Sequence, residues 1–162
     1  GYKKADPFKY LLDTVKWGTD YFIKCHSGKD ELYIGLGAGS VYHTNWLPPE
    51  SIQYEYKSYK VDAKNHGSEV AAATAAALAA ASILFKSEDS TYSATLLKHA
   101  IEIYDFADTY RGDYHKSEPT VQGYYSSYNG YVDELAWGAA WLLRATGDEK
   151  YLEKYKEIWD KE

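Results

Sequence analysis

Methionine is absent from this 162-residue chain, cysteine occurs once, and proline and phenylalanine four times each. The lone Cys25 excludes an intrachain disulfide and a cysteine-based zinc finger. Its neighbours Tyr21, Phe22 and Ile23 predict a buried thiol. Positive charge is also scarce: 18 Lys and Arg stand against 24 Asp and Glu, a net charge of −6. Nothing here would neutralise phosphates or attract an anionic bilayer, so neither nucleic acid nor membrane is an expected partner. No stretch reads as a bilayer span, and the opening GYKKADPFKYLL is not a secretory signal. The HExxH, G-x-S-x-G, P-loop and dinucleotide patterns are all missing, so no organic cofactor is expected.

What is present is a globular composition, 45% hydrophobic and 26% charged, with a length suited to one domain or a piece of one. Aromatic content is high at 17%, and 18 Tyr and 5 Trp outnumber 4 Phe. Tyr and Trp carry a polar handle and suit half-wet surfaces. A chain that prefers Tyr to Phe either lines something polar with flat rings or keeps a core whose hydroxyls reach water.

Five segments read as helices. Residues 7–26 place Leu11, Val15, Gly18 and Phe22 on one stripe, with Trp17 and Tyr21 beside it, and Gly18 predicts a close helix neighbour. The segment SEVAAATAAALAAASILF, 68–85, is small and apolar on every side, which predicts burial all round; Ser68 is its expected N-cap. It is too short and Ala-rich for a convincing membrane span. Residues 90–111, capped by Asp89, carry the stripe Tyr92, Leu96, Ala100, Ile103, Ala107, Tyr110. A fourth helix over 131–146 holds Trp137 and Trp141 one turn apart and ends at Gly147. Asp148 then caps a fifth, with Leu152, Tyr155, Ile158 and Trp159 inward. Apolar and amphipathic helices alternate across short turns, which predicts an all-α fold of antiparallel αα-hairpins. No strand pattern is strong, although ELYIGLG, 31–37, could form a short one.

Two connections are long, 27–67 and 113–130, and antiparallel alternation puts both at one end. They hold ten aromatics, among them Tyr42, Trp46, Tyr124, Tyr125 and Tyr128. Flat rings on adjacent loops make a shelf on which the C–H faces of sugars can stack; alternatively the tyrosines pin the loops to the helix ends. Among His26, His43, His66, His99 and His115, none shows a tight metal-ligand spacing, and His43 stands out for its place beside Trp46 among turn residues. Asp133 and Glu134 are adjacent on a helix, so their side chains diverge by about 100° and cannot flank one glycosidic bond. They read as favourable charge in a first turn.

Several segments together resemble glycoside hydrolase family 9, whose members are mostly endo-β-1,4-glucanases. They are LLDTVKWGTDYFIKCH, HTNWLPPE, SYKVDAKNHGSEVAAATAAALAAASILF, HAIEIYDFADTYRG and YYSSYNGYVDELAWGAAWLLRATGDEKYL, in that order and over nearly the whole chain. The resemblance implies an (α/α)6 barrel with an open cleft at the loop end, an inverting mechanism, a β-1,4-glucan substrate and a secreted enzyme. It implies an active-site role for His43 and Trp46, with Tyr125 and Tyr128 as sugar-stacking positions. It also implies, in some members, a calcium site. Carried over, its ligands are the carbonyls of Asn129 and Gly130 and the carboxylates of Asp133 and Glu134, an all-oxygen set suited to that ion. Departures occur at Gly37-Ala38-Gly39 for the usual Gly-Asp-Gly, at Pro48 for Arg, at His66-Gly67-Ser68 for Pro-Gly-Ser and at Tyr128 for Trp. The family's base-side aspartates and acid glutamate lie outside this chain. Residues 1–162 then form part of a catalytic domain that needs its remaining segments. A non-catalytic helical carbohydrate-binding module and a plain helical interaction protein are the competing readings. Catalysis by this chain alone would have to draw on Glu50, Asp62, Asp113 or Glu118.

Overall fold

The computed structural model describes residues 6–44 and 46–160. The first five residues and Asn45 of the HTNWLPPE loop lie outside them. Five long helices dominate: α1 (Pro7–Cys25), α3 (Ser68–Phe85), α4 (Ser90–Thr109), α6 (Val132–Thr146) and α7 (Lys150–Trp159). Two one-turn helices, α2 (Gly39–Tyr42) and α5 (Tyr114–Ser117), sit in the long connections with 3-10 turns at Pro49–Ser51 and Pro119–Val121.

The first long connection also contains sheet. Strand β1 (Glu31–Leu36) pairs antiparallel with β2 (Ser58–Asp62), from Glu31 opposite Asp62 to Leu36 opposite Ser58, with a bulge between Tyr33 and Gly35. The 27–67 connection is therefore only partly irregular. Sequence reading caught β1 and missed β2, because SYKVD is short and hides its signal in one buried residue, Val61. Val61 faces Leu32 across the pair, and both are buried.

Helix α3 is the centre. Eleven of its 18 residues are buried. By length and composition alone it could cross a bilayer, but 61% of it is buried inside the fold. It packs chiefly on α4 and α6, with α1 on a further side. Alanine methyls permit close helix approach, and dispersion contacts rather than large side chains then hold the layers. Ser68 is not the N-cap. Gly67 occupies that position, and Ser68 lies buried in the first turn. Its Oγ donates to the Ala107 carbonyl at 2.8 Å and accepts from the Gly112 N–H at 3.0 Å. The residue expected to start one helix thus ties it to the end of another.

Other caps follow the sequence. Asp6 accepts from the Phe8 and Lys9 N–H groups, and Asp89 from Tyr92. Gly147 ends α6 in the left-handed conformation with φ 72°. Asp148 accepts from the Lys150 N–H at 3.0 Å, one residue ahead of Glu149, which holds the cap position. The short turns after α3 and α6 lie at one end. The long connections meet at the other, where Gly39 packs on Tyr124.

The edge helices depart from expectation. Only Thr19 of α1 is buried, Trp17 is 81% exposed, and Gly18 has open space where a close neighbour was expected. Cys25 is half-buried rather than buried. On α7 the inward residues are Tyr151 and Ile158, while Trp159 is 65% exposed. A helix at the border of the array buries only the stripe that meets its one neighbour. Leu12, Val15, Phe22 and Ile23 of α1 and Tyr155 of α7 still pack half-buried against the core, while Phe8, Leu11, Trp17 and Trp159 stay exposed.

Gly138 on α6 offers a test of the close packing. A Cβ there would sit 2.8 Å from the Tyr104 ring and 3.3 Å from the Ala72 carbonyl. Tyr104 is buried and its hydroxyl donates to the Leu135 carbonyl, so the ring cannot swing aside. Gly138→Ala should therefore lower stability by about 1–3 kcal/mol in urea unfolding, despite the better helix propensity of alanine. An unchanged or raised midpoint would show that α6 and α3 are not in this contact.

Candidate functional site

At the loop end, β1, α2, α3 and the 114–125 segment enclose a cavity of about 460 Å³. Tyr42, His43, Tyr114, Thr120, Val121 and Tyr125 are among the residues that line it. Gly39 makes the enclosure possible, since a Cβ there would come within 2.7 Å of the Tyr124 ring. The His43 imidazole stacks on Tyr124, with centroids 4.5 Å apart and planes 13° apart, and lies 6.2 Å from the Tyr125 ring. The Tyr114 hydroxyl donates to the Tyr125 carbonyl, anchoring that stretch. Behind His43, Tyr42, Tyr54 and Tyr56 form a mutual cluster with centroids 5.6–5.8 Å apart. These tyrosines pack on one another within the 27–67 connection.

The structure brings His43 and Tyr125 to one cavity. Trp46 and Tyr128 lie outside its lining, Trp46 fully exposed and Tyr128 87% exposed. An indole left wholly in water contributes nothing to this fold and is free to meet a ligand face. No Asp or Glu lines the cavity among the described residues. Of the fallback carboxylates, Asp62 accepts from the Lys64 and Asn65 N–H groups, Glu118 from Thr120, and Asp113 pairs with Lys116. Glu50 stands exposed in a 3-10 turn. None of these is poised beside another as an acid–base pair.

Behind the cavity the chain gathers acids instead. Glu69, in the first turn of α3, is buried; one oxygen accepts from the Tyr114 N–H at 2.8 Å and the other has no partner. Burial pushes its carboxyl up, with the Asp113 charge adding to the rise. Glu134 likewise has one buried oxygen without a partner. Burial pushes its carboxyl up to about 7, the neighbouring Asp133 adding to the effect and Glu69 a little more. The Asp113 carboxylate approaches Gly130, whose carbonyl accepts from the Ser127 hydroxyl at 2.7 Å. Of the two residues read as simple first-turn charge, Glu134 is thus part of a partly desolvated acidic cluster, while its neighbour Asp133 stays exposed. Sequence alone does not join Glu69 and Asp113 to the 129–134 segment, because only the fold brings them beside it. Buried carboxylate oxygens with no donor suit a hard cation, and the donor set is all oxygen.

The family described as Glycosyl hydrolase family 9 matches residues 1–162. Endoglucanase B of Cellulomonas fimi is 46% identical over 161 residues, 99% of this chain and 15% of that protein. An endoglucanase structure from the termite Nasutitermes takasagoensis is 46% identical with a TM-score of 0.87, over 93% of this chain and 34% of that one. The cellulase Cel9M of C. cellulolyticum in complex with cellobiose is 31% identical with a TM-score of 0.84, again over 93% and 34%. The chain thus spans between 15% and 34% of the proteins it matches here.

The raised Glu134 carboxyl sets a pH dependence. Its ordinary value is 4.5 and its folded value about 7, so between them only the folded chain holds the proton. Without divalent cations, stability should fall as pH rises through that window and level off above it. Glu134→Gln should flatten that slope in thermal melts recorded in chelator. Equal slopes in the two proteins would mean that Glu134 ionises normally.

Proposed function

The chain belongs to glycosyl hydrolase family 9, and from that premise we propose that it is the central part of an inverting endo-β-1,4-glucanase catalytic domain. It is similar throughout to endoglucanases and matches the (α/α)6 structures of that family. In this reading it supplies cleft loops, while the catalytic acid and base come from the remaining segments of the same domain. The observation that carries the reading is the loop-end cavity, with His43 held between the 39–43 and 119–125 segments and the bare Trp46 indole beside it in sequence. Trp46, Tyr125 and Tyr128 offer flat faces to glucose rings, and His43 offers a ring nitrogen to a hydroxyl. Inversion needs two carboxyl groups about 6.5–9.5 Å apart across the bond. A β-glucan polymer is too large to enter a cell, so the enzyme acts outside it.

The same reading gives the acidic cluster a purpose. Calcium held by the carbonyls of Asn129 and Gly130 and the carboxylates of Asp133 and Glu134 would neutralise the cluster and fix the loop above α6. The unpartnered Glu134 oxygen and the repulsion among Glu69, Asp133 and Glu134 support this fit. Asp133→Ala should abolish a calcium-dependent rise in melting temperature. A wild-type melting temperature indifferent to both calcium and chelator would remove the site from this protein.

The catalytic reading is tested on carboxymethylcellulose. These 162 residues alone should not hydrolyse it, and should be oligomeric or poorly stable. In the complete enzyme, Trp46→Ala should cost on the order of 1–3 kcal/mol in kcat/KM for cello-oligosaccharides. Robust hydrolysis by a monomer of this length, or unchanged kinetics of the variant, would overturn the assignment.

A further inference from the structure

His26 follows the last turn of α1, and His99 lies on α4, 73 residues away. Their rings meet edge-on, with centroids 5.0 Å apart and Nδ1 atoms 2.7 Å apart. Glu102 follows His99 by three residues, one turn along the same face of α4. Each of the three side chains offers one ligand atom, and all of these lie within 4.8 Å of one another. His26 is 9% exposed, and its Nε2 is buried without a hydrogen-bond partner. A metal at Nδ1 leaves the partnering of that Nε2 unchanged; what favours an ion is the convergence of three ligand atoms from two separate elements. Burial, reinforced by His26, holds the His99 imidazole below the usual histidine range, so a nitrogen lone pair is present at neutral pH.

We propose that His26, His99 and Glu102 form a binding site for a borderline transition-metal ion, Zn²⁺ foremost, that clasps the end of α1 to α4. Two imidazole nitrogens and one carboxylate oxygen are a zinc donor set, unlike the all-oxygen cluster under the loops. Two nitrogens on a tetrahedral zinc stand about 3.3 Å apart, given Zn–N bonds of about 2.0–2.1 Å. The Nδ1 atoms, now 2.7 Å apart, must part by about 0.6 Å, and both rings must turn so that their lone pairs converge on one point. In that step the Nδ1–H···Nδ1 bond breaks. The bridging proton leaves to solvent, and the same ring takes one up at Nε2, so both rings stay neutral and each Nδ1 lone pair goes to the metal. Glu102 is held only loosely, 4.0 Å from Lys98, with its side chain 34% exposed. It can turn to supply the third ligand from the solvent side, which leaves a fourth position for water. Sequence spacing hides this site, because its ligands come from two helices far apart in the chain.

The test uses purified protein stripped of metal and then kept in excess calcium to saturate oxygen sites. Zn²⁺ is titrated against a chromophoric chelator, and Co²⁺ is added separately to record its visible bands. One zinc should bind per chain. Affinity should drop at least about tenfold in His99→Gln and in Glu102→Gln, with Cys25→Ser unchanged. The cobalt bands should be lost or shifted in the first two variants. Glu102→Gln keeps α4 intact, and its zinc-free melting temperature should match wild type, so it carries the test if His99→Gln folds poorly. Failure to bind zinc in calcium, or equal affinity in wild type and Glu102→Gln, would overturn the site.

Discussion

The contact between α3 and its neighbours is the constraint on which the rest of the molecule depends. A helix buried on most sides must satisfy every neighbour with small groups, and the run of alanines does this. Small side chains bring the helix axes close, so Gly138 meets the Tyr104 ring and the Ala72 carbonyl with no room for a methyl. That closeness fixes the orientation of α4 and α6, and through their ends it fixes where the long loops emerge. Ser68 shows the coupling at one residue. Its hydroxyl joins the start of α3 to the last turn of α4 and to Gly112, and so sets the point from which the second long loop departs.

The helices were legible because their signals are local. Period, caps and stops lie within each segment, and α3, α4 and α6 fall within a residue or two of their expected bounds. Stripe assignments failed where the neighbours are few. Trp17 and Trp159 look like core residues in sequence and are exposed here, since burial depends on what packs alongside rather than on the residue itself. Strand β2 was missed for a related reason: it exists because β1 pairs with it, and five residues carry no period of their own.

Of the loop residues singled out in the sequence, His43 and Tyr125 reach one cavity, Trp46 and Tyr128 stand outside its lining, and the acids were obscure. A loop rich in Tyr, with His43 and Trp46 among turn residues, announces a surface that meets something flat and polar. Nothing local announces that Glu69, Asp113 and Glu134 converge, because they come from three separate elements. What reveals them is energetic. Two carboxylate oxygens lie buried with no donor, and burial raises both carboxyls above their ordinary range. Such a cluster opposes folding unless a proton or a cation joins it. The 113–130 connection therefore rests beside carboxyls whose protonation changes the stability of the fold.

The two borders of the array complete the argument. Phe8, Leu11 and Trp17 project from α1, while a groove of about 270 Å³ between α6 and α7 is lined by Trp137, Tyr155 and Trp159. Isolated exposed apolar residues are ordinary, but indoles gathered along both edges of one layer are not. Covering them would gain roughly 25 cal/mol per Å². Helix α1 meets α3 and α4, whereas α7 meets the array through α6, so the two sets of exposed side chains belong to different borders of it. A closed ring of αα-hairpins covers both borders with the same repeating unit, and this chain spans 34% of the termite structure it matches. Further hairpins added at these edges would cover the exposed apolar side chains without disturbing the packing around α3.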